Sequence, residues 1–206
     1  MIGVIPAAGR SSRIGNPKPL LDADGASFLE RTVGVLREAG IGTVFVGVRE
    51  EGSPIGAMAG RTGARVVIPD DPDRGPVATL RAVVTEAREF AGACIFLPVD
   101  HPLVRPATIR ELIERWRTTG RDLVVPVHRE RRGHPILLGP TLLRELGQGE
   151  PGTGAGEEDL ADLLHPHDHA ADLVEVDDRG VLVDIDTLAE YRRHFPAAYR
   201  RRFQKW

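Results

Sequence analysis

Cysteine is almost missing from the chain. Cys94 stands alone in 206 residues, so no internal disulfide can form. Surplus positive charge is missing too. A formal net charge of -3 makes the chain as a whole a poor binder of nucleic acid. No apolar run approaches the ~20 residues that a membrane span needs. The first residues lack the charged and apolar regions of a secretion signal, so a reducing, cytoplasmic location is expected. Neither a Ser/His/Asp nor a Cys/His constellation stands out.

What is present is a chain with 41% apolar residues, long enough for a real core. Short, continuous apolar runs read as strands buried on both faces: 1–7, Thr43–Val48, Ala64–Pro69, Ala93–Val99 and Asp122–Val127. Amphipathic segments lie between them. Ser27 and Glu30 form a capping box ahead of Leu29, Val33 and Leu36, and Gly40 follows that helix. Pro76 opens a helix carrying Val77, Leu80 and Val84 on one face. Pro106 opens another with Ile109, Leu112, Ile113 and Trp116. The alternation predicts an α/β fold with a Rossmann-like, doubly wound, mostly parallel sheet, and ligands at the carboxyl ends of its strands. Beyond residue 128 the pattern becomes β-rich. Residues 133–139 read as a strand, 172–185 as a hairpin turning at 177–180, and the Gly-rich, acidic 147–160 as a mobile loop. A single domain over 1–206 is expected. Its first half covers about 1–105, its second half about 106–195, and a basic tail 196–206.

The first loop carries the sharpest signal. In IPAAGRSSRIGNPKPLL (5–21), Gly9 and Gly15 let the backbone approach a ligand and turn N–H groups toward it. Arg13 and Lys18 add fixed charge, the first a fork and the second a point charge. The combination suits a polyphosphate; a glycine–serine turn with solvated cations is the alternative. It is not a Walker loop, and no G-x-G-x-x-G follows the first strand.

This stretch resembles the A-A-G-x-S-x-R-M-G-x-x-K-x-L-L signature of the MobA-like nucleotidyltransferases, with Ile14 in place of methionine. Within that group it is most similar to the molybdenum cofactor cytidylyltransferases. The resemblance implies a nucleotide-diphospho-sugar-transferase (GT-A-like) fold with a small β-rich acceptor region. It implies that Ala7, Ala8, Gly9, Arg10, Ser11 and Gly15 wrap a nucleoside triphosphate, with Arg13 and Lys18 stabilising charge during transfer. Ala8 favours CTP, because the guanylyl branch usually reads A-G-G.

A triphosphate site needs a hard cation, Mg²⁺ or alternatively Mn²⁺, held by one or two carboxylates. Asp100 follows an apolar strand and resembles the family's D-x-P metal aspartate. Asp184 and Asp186 alternate at an expected strand end, hence on one face, and resemble the closing D-I-D-T-P-E-D. Thr187 and Glu190 form a capping box after them. Gly75 sits at a helix start that favours anions, and with Thr79 it resembles a nucleotide-side segment. Gly133, His134 and Pro135 resemble the G-H/N-P-V-L that lines the acceptor side. Glu157 and Glu158 depart from the family's G-D-x-G-A-R, where positive charge is expected.

The implied reaction is Mg²⁺-dependent transfer of a nucleotidyl group to a phosphorylated small molecule. Molybdopterin or the molybdenum cofactor is the first candidate acceptor, and a molybdoenzyme would receive the product. GTP as donor, a sugar, alcohol or lactate phosphate as acceptor, and a non-catalytic nucleotide-binding or cofactor-delivery protein are the alternatives. Monomer and homodimer both fit. His165, His167 and His169 read as a polar turn, the tail as a solvated helix without nucleic acid, and Cys94 as core.

Overall fold

A computed structural model describes residues 1–9, 14–87, 92–148 and 160–203. The sheet is built from β1 (Ile2–Pro6), β2 (Thr43–Gly47), β3 (Arg65–Val67), β4 (Cys94–Phe96), β5 (Leu123–His128), β6 (Arg131–Arg132), β7 (Ile136–Leu138) and β8 (Asp172–Glu175). β3, β2, β1 and β4 lie side by side in parallel. β7 then runs antiparallel between β4 and β5, so β5 points the same way as β4. β8 pairs with β5 in parallel, and β6 forms a hairpin with the end of β5. The fold is therefore the expected mostly parallel α/β sheet, with two reversed strands, β6 and β7, in its second half.

The helices are α1 (Phe28–Glu38), α2 (Pro54–Arg61), α3 (Pro76–Glu86), α4 (Pro106–Thr119), α5 (Pro140–Gln148), α6 (Leu160–Leu164), α7 (Leu188–His194) and α8 (Pro196–Phe203). Alternate strand residues serve two apolar layers. Ile5, Val44, Val46, Ile95 and Leu97 face α1, α4, α7 and α8, while Ile2, Val4, Phe45, Cys94 and Phe96 face α3, α5 and α6. This is why the strands read as continuous apolar runs: both faces are covered. Burial pushes the Cys94 thiol up to about 12, as befits a core residue. Among the described residues no helix is long and apolar enough to cross a membrane.

Local signals place the helices as expected. The Ser27 hydroxyl accepts from Glu30 N at 3.1 Å and Glu30 accepts from Ser27 N at 2.7 Å, closing the capping box of α1. Ile14, in the methionine position, is buried against this layer.

The expected hairpin over 172–185 does not form. β8 is followed by a single 3-10 turn, Arg179–Leu182. The reason is Asp178, which is buried. Its Oδ2 accepts from Arg105 N at 2.8 Å and Thr108 Oγ1 at 2.7 Å, and its Oδ1 from Gly180 N at 2.8 Å. It caps α4 from a distant part of the chain, where Arg105 supplies no side-chain cap of its own. The expected strand at Asp184–Asp186 is also absent, and the segment runs without regular structure. Gly147 belongs to α5 rather than to a loop; residues 149–159 lie outside the described residues.

Candidate active site

A cleft of about 980 Å³ opens beyond the carboxyl ends of β1, β2 and β4 and crosses the face of β5 and β7 that turns toward α6. At its base three distant segments meet on one cation. Lys18 enters from the single turn Lys18–Leu20, which Pro17 starts. Its Nζ donates to Asp100 Oδ2 at 3.0 Å and to Asp186 Oδ1. The backbone holds this meeting in place. Ile185 N donates to Asp100 O at 2.9 Å, which ties the closing segment to the turn after β4. Asp186 N donates to Glu190 Oε2 at 2.9 Å, and Thr187 caps α7 in the expected box with Glu190.

The electrostatics keep Asp100 and Lys18 charged. Burial alone would raise the Asp100 carboxyl. The His101 hydrogen bond and charge, and then the Lys18 ammonium, outweigh burial and hold it well below the usual carboxylate range. Burial pulls Lys18 down, but the Asp100 and Asp186 carboxylates overcome it and leave the ammonium above its ordinary value.

His101 is a site residue that the sequence reading passed over. Its Nδ1 lies 3.1 Å from Asp100 Oδ1, and its ring centroid lies 4.8 Å from that of His134. It therefore links the Asp100 carboxylate to His134. The available signal was its place directly after Asp100 at a strand's carboxyl end.

Ala7, Ala8, Gly9, Lys18, Gly75, Thr79, Asp100, Gly133, His134, Asp184 and Asp186 all line this cleft. Asp184 and Asp186 both face it, with the buried Ile185 between them facing the core. Asp184 is exposed and is not drawn into the Lys18 cluster, unlike Asp186. Gly15 takes φ 70°, which suits glycine, but neither it nor Pro135 lines the cleft; Pro135 is buried behind His134. Arg10, Ser11 and Arg13 lie outside the described residues. So do Glu157 and Glu158.

At the other end of the cleft Gly75, with φ 81°, turns the chain into α3. The guanidinium of Arg49, just after β2, pairs with Asp73 at the same end. Thr79 is fully buried on α3, and its Oγ1 has no hydrogen-bond partner among the described residues. A Cβ on Gly47 would lie 2.2 Å from that oxygen, so α3 can approach β2 only over glycine. Gly47→Ala is expected to destabilise the fold by about 1–3 kcal/mol through overpacking, measured by urea denaturation.

The loop is also held from behind, by the basic tail. Arg202 Nη2 donates to Asn16 Oδ1 at 2.9 Å, two residues before Lys18. Arg201 Nη2 donates to Asp22 Oδ2 at 2.7 Å, and Tyr191 OH to Asp22 O at 2.7 Å. Tyr191 itself is buried in an aromatic cluster with Phe28, Phe195, Tyr199 and Phe203. The tail's charge therefore serves an intramolecular clamp. Tyr191→Phe strands the Asp22 carbonyl and is expected to cost about 1–2 kcal/mol of stability, read as a lower denaturation midpoint.

Known proteins share this architecture. The structure of Rv0371c from Mycobacterium tuberculosis H37Rv superposes with a TM-score of 0.78 at 30% identity, covering 94% of this chain and 96% of that one. A complex of Rv0371c with manganese gives 0.72 at 28% identity, covering 95% and 98%. Among curated proteins, a molybdenum cofactor guanylyltransferase of Xanthomonas euvesicatoria pv. vesicatoria (strain 85-10) is 36% identical over 112 residues, 54% of this chain and 52% of its own length. The chain spans between 52% and 64% of the length of the molybdenum cofactor guanylyltransferases it matches. Residues 3–171 match the MobA-like NTP transferase domain, and with β1, the Lys18 loop, β4 and the Asp100 turn all inside that span, the chain belongs to the MobA-like NTP transferase family.

Proposed function

We propose that this cleft transfers a nucleoside monophosphate from a nucleoside triphosphate to a phosphate-bearing acceptor and releases pyrophosphate. The observation that carries this reading is the clasp of Lys18 between Asp100 and Asp186 at the base of a strand-end cleft. Two carboxylates against one ammonium leave one net negative charge, and both offer hard oxygen donors. This fits a divalent cation such as Mg²⁺ or Mn²⁺, which takes one or two carboxylates and completes its shell with phosphate and water. Asp100 and Asp186 would hold it. When bound, the cation neutralises charge on the triphosphate. The manganese bound by the similar Rv0371c structure supports the same assignment.

The chain's own task is positioning and charge. An oxygen of the acceptor's phosphate attacks the α-phosphorus in line. A new P–O–P bond forms, the bond to the bridging oxygen of the β-phosphate breaks, and pyrophosphate leaves with the electron pair. The attacking phosphate monoester has a second pKa near ≈ 6 and is already mostly ionised at neutral pH, so no side chain need take a proton. Lys18 stands where negative charge builds on the phosphates. Ala7, Ala8 and Gly9 bring backbone close to them, and Gly75 and Thr79 sit on the base side.

CTP is the donor favoured by Ala8, and molybdopterin or its molybdenum form is the favoured acceptor. The name of the curated relative favours a second reading, in which GTP is the donor. Multiple-turnover pyrophosphate release, with each triphosphate and molybdopterin, tests both. Release that needs the acceptor and selects one triphosphate supports an enzyme and assigns the base. Tight nucleotide binding without turnover would support a non-catalytic binding protein instead.

A further inference from the structure

We propose that Arg132 receives the acceptor's phosphate and that Asp168 competes for it, so that the acceptor site admits phosphate monoesters and refuses monoanions. This rests on the transferase reading of the cleft. Arg132 lies in β6, directly before Gly133 and His134, and all three line the cleft. Among the described residues the lining holds three fixed cations. Lys18 is committed to Asp100 and Asp186, and Arg49 to Asp73 at the nucleotide end. Arg132 is the one at the acceptor end.

Among the described residues its guanidinium meets Asp168, with Nη1 donating to Oδ1 at 2.5 Å. A guanidinium carries five N–H donors, so most of its fork has no partner among the described residues. Both side chains are close to half exposed, at 45% and 43%, and such a pair contributes little to stability. Asp168 lies in the short 3-10 helix His165–Ala170 and lines the cleft together with His165.

These facts make a charge filter. A phosphate monoester carries about −1.5 to −2 at neutral pH and can take an arginine fork through two oxygens at once. It outcompetes the singly charged, singly bonded Asp168. A carboxylate or phosphodiester brings no more charge than Asp168 already supplies. Transfer then reverses the balance. Once the acceptor phosphate becomes part of a diphosphate diester it carries one charge, and Asp168 can retake Arg132 as the product leaves.

The test uses phenyl phosphate as the dianionic probe and diphenyl phosphate as the monoanionic one. Both are titrated by NMR into protein saturated with α,β-methylene CTP, so that the triphosphate loop is already filled. Wild type should bind phenyl phosphate and not diphenyl phosphate. Arg132→Ala should weaken phenyl phosphate by about tenfold or more, with Arg132→Lys in between because an ammonium is only a point charge. Asp168→Asn should tighten phenyl phosphate severalfold and admit diphenyl phosphate. Nucleotide affinity should stay at the wild-type value in all three. Phenyl phosphate binding that is absent in wild type, unchanged in Arg132→Ala, or lost together with nucleotide binding would overturn the proposal. If wild type binds no nucleotide at all, the transferase reading fails separately, and the same titrations in Lys18→Ala protein without nucleotide still judge Arg132.

Discussion

Asp100→Asn is expected to lower the rate of nucleotidyl transfer by about 10³-fold, equivalent to about 4 kcal/mol of barrier, with little change in the fold. Asparagine keeps the shape of the side chain but removes its charge, and that charge is what a divalent cation and the Lys18 ammonium both meet. The fold should survive because Lys18 retains Asp186 and because the turn is held by the backbone bond from Ile185 N to Asp100 O. The pH dependence has a definite sign. The folded Asp100 carboxyl lies below its ordinary value, so its contribution to stability is present above the unfolded pKa, near about 3.9. It is lost as pH falls through the folded value. Wild type and Asp100→Asn should therefore differ in stability by a constant amount near neutrality and converge in acid. A rate within a few fold of wild type would remove Asp100 from the machinery.

The second large effect is expected at Lys18. Lys18→Ala should reduce transfer by about 10²–10³-fold, the cost of losing one fixed donor aimed at developing charge. The loss should fall on kcat more than on KM if the ammonium acts mainly in the transition state. The bare protein should show the opposite sign. Without the ammonium, Asp100 and Asp186 face each other uncompensated, so affinity for Mn²⁺ in the absence of nucleotide should rise. Electron paramagnetic resonance titration reads this directly. A fall in Mn²⁺ affinity would mean that Lys18 organises the two carboxylates rather than competing at them.

Much of this site is legible in the sequence because each part is announced locally. A lysine follows a glycine-rich loop, an aspartate follows an apolar strand, and a capping box follows Asp186. The parts that escaped depend on distant partners. Asp178 looks like a turn acid next to glycine, and only the folded chain brings it under the N-terminus of α4, 73 residues from Arg105. Arg49 and Asp73 are 24 residues apart and belong to unrelated local patterns. The helix α2 begins at Ser53 with a side-chain cap, yet its short PIGAMAGR sequence carries too few large apolar residues to display a period. The tail shows the same limit. Its arginines read as solvated, and their acceptors, Asn16 and Asp22, are far away in the first loop.

The most direct test of the central claim is a calorimetric titration of CTP, GTP, ATP and UTP into the wild-type protein and Lys18→Ala, with Mg²⁺ or Mn²⁺ present and then chelated. The expected result is that one triphosphate binds in preference to the others, with CTP first, that chelation abolishes binding, and that the substitution weakens it only severalfold. No binding of any triphosphate, or binding that neither the metal nor Lys18 affects, would contradict the assignment of this cleft to nucleotidyl transfer.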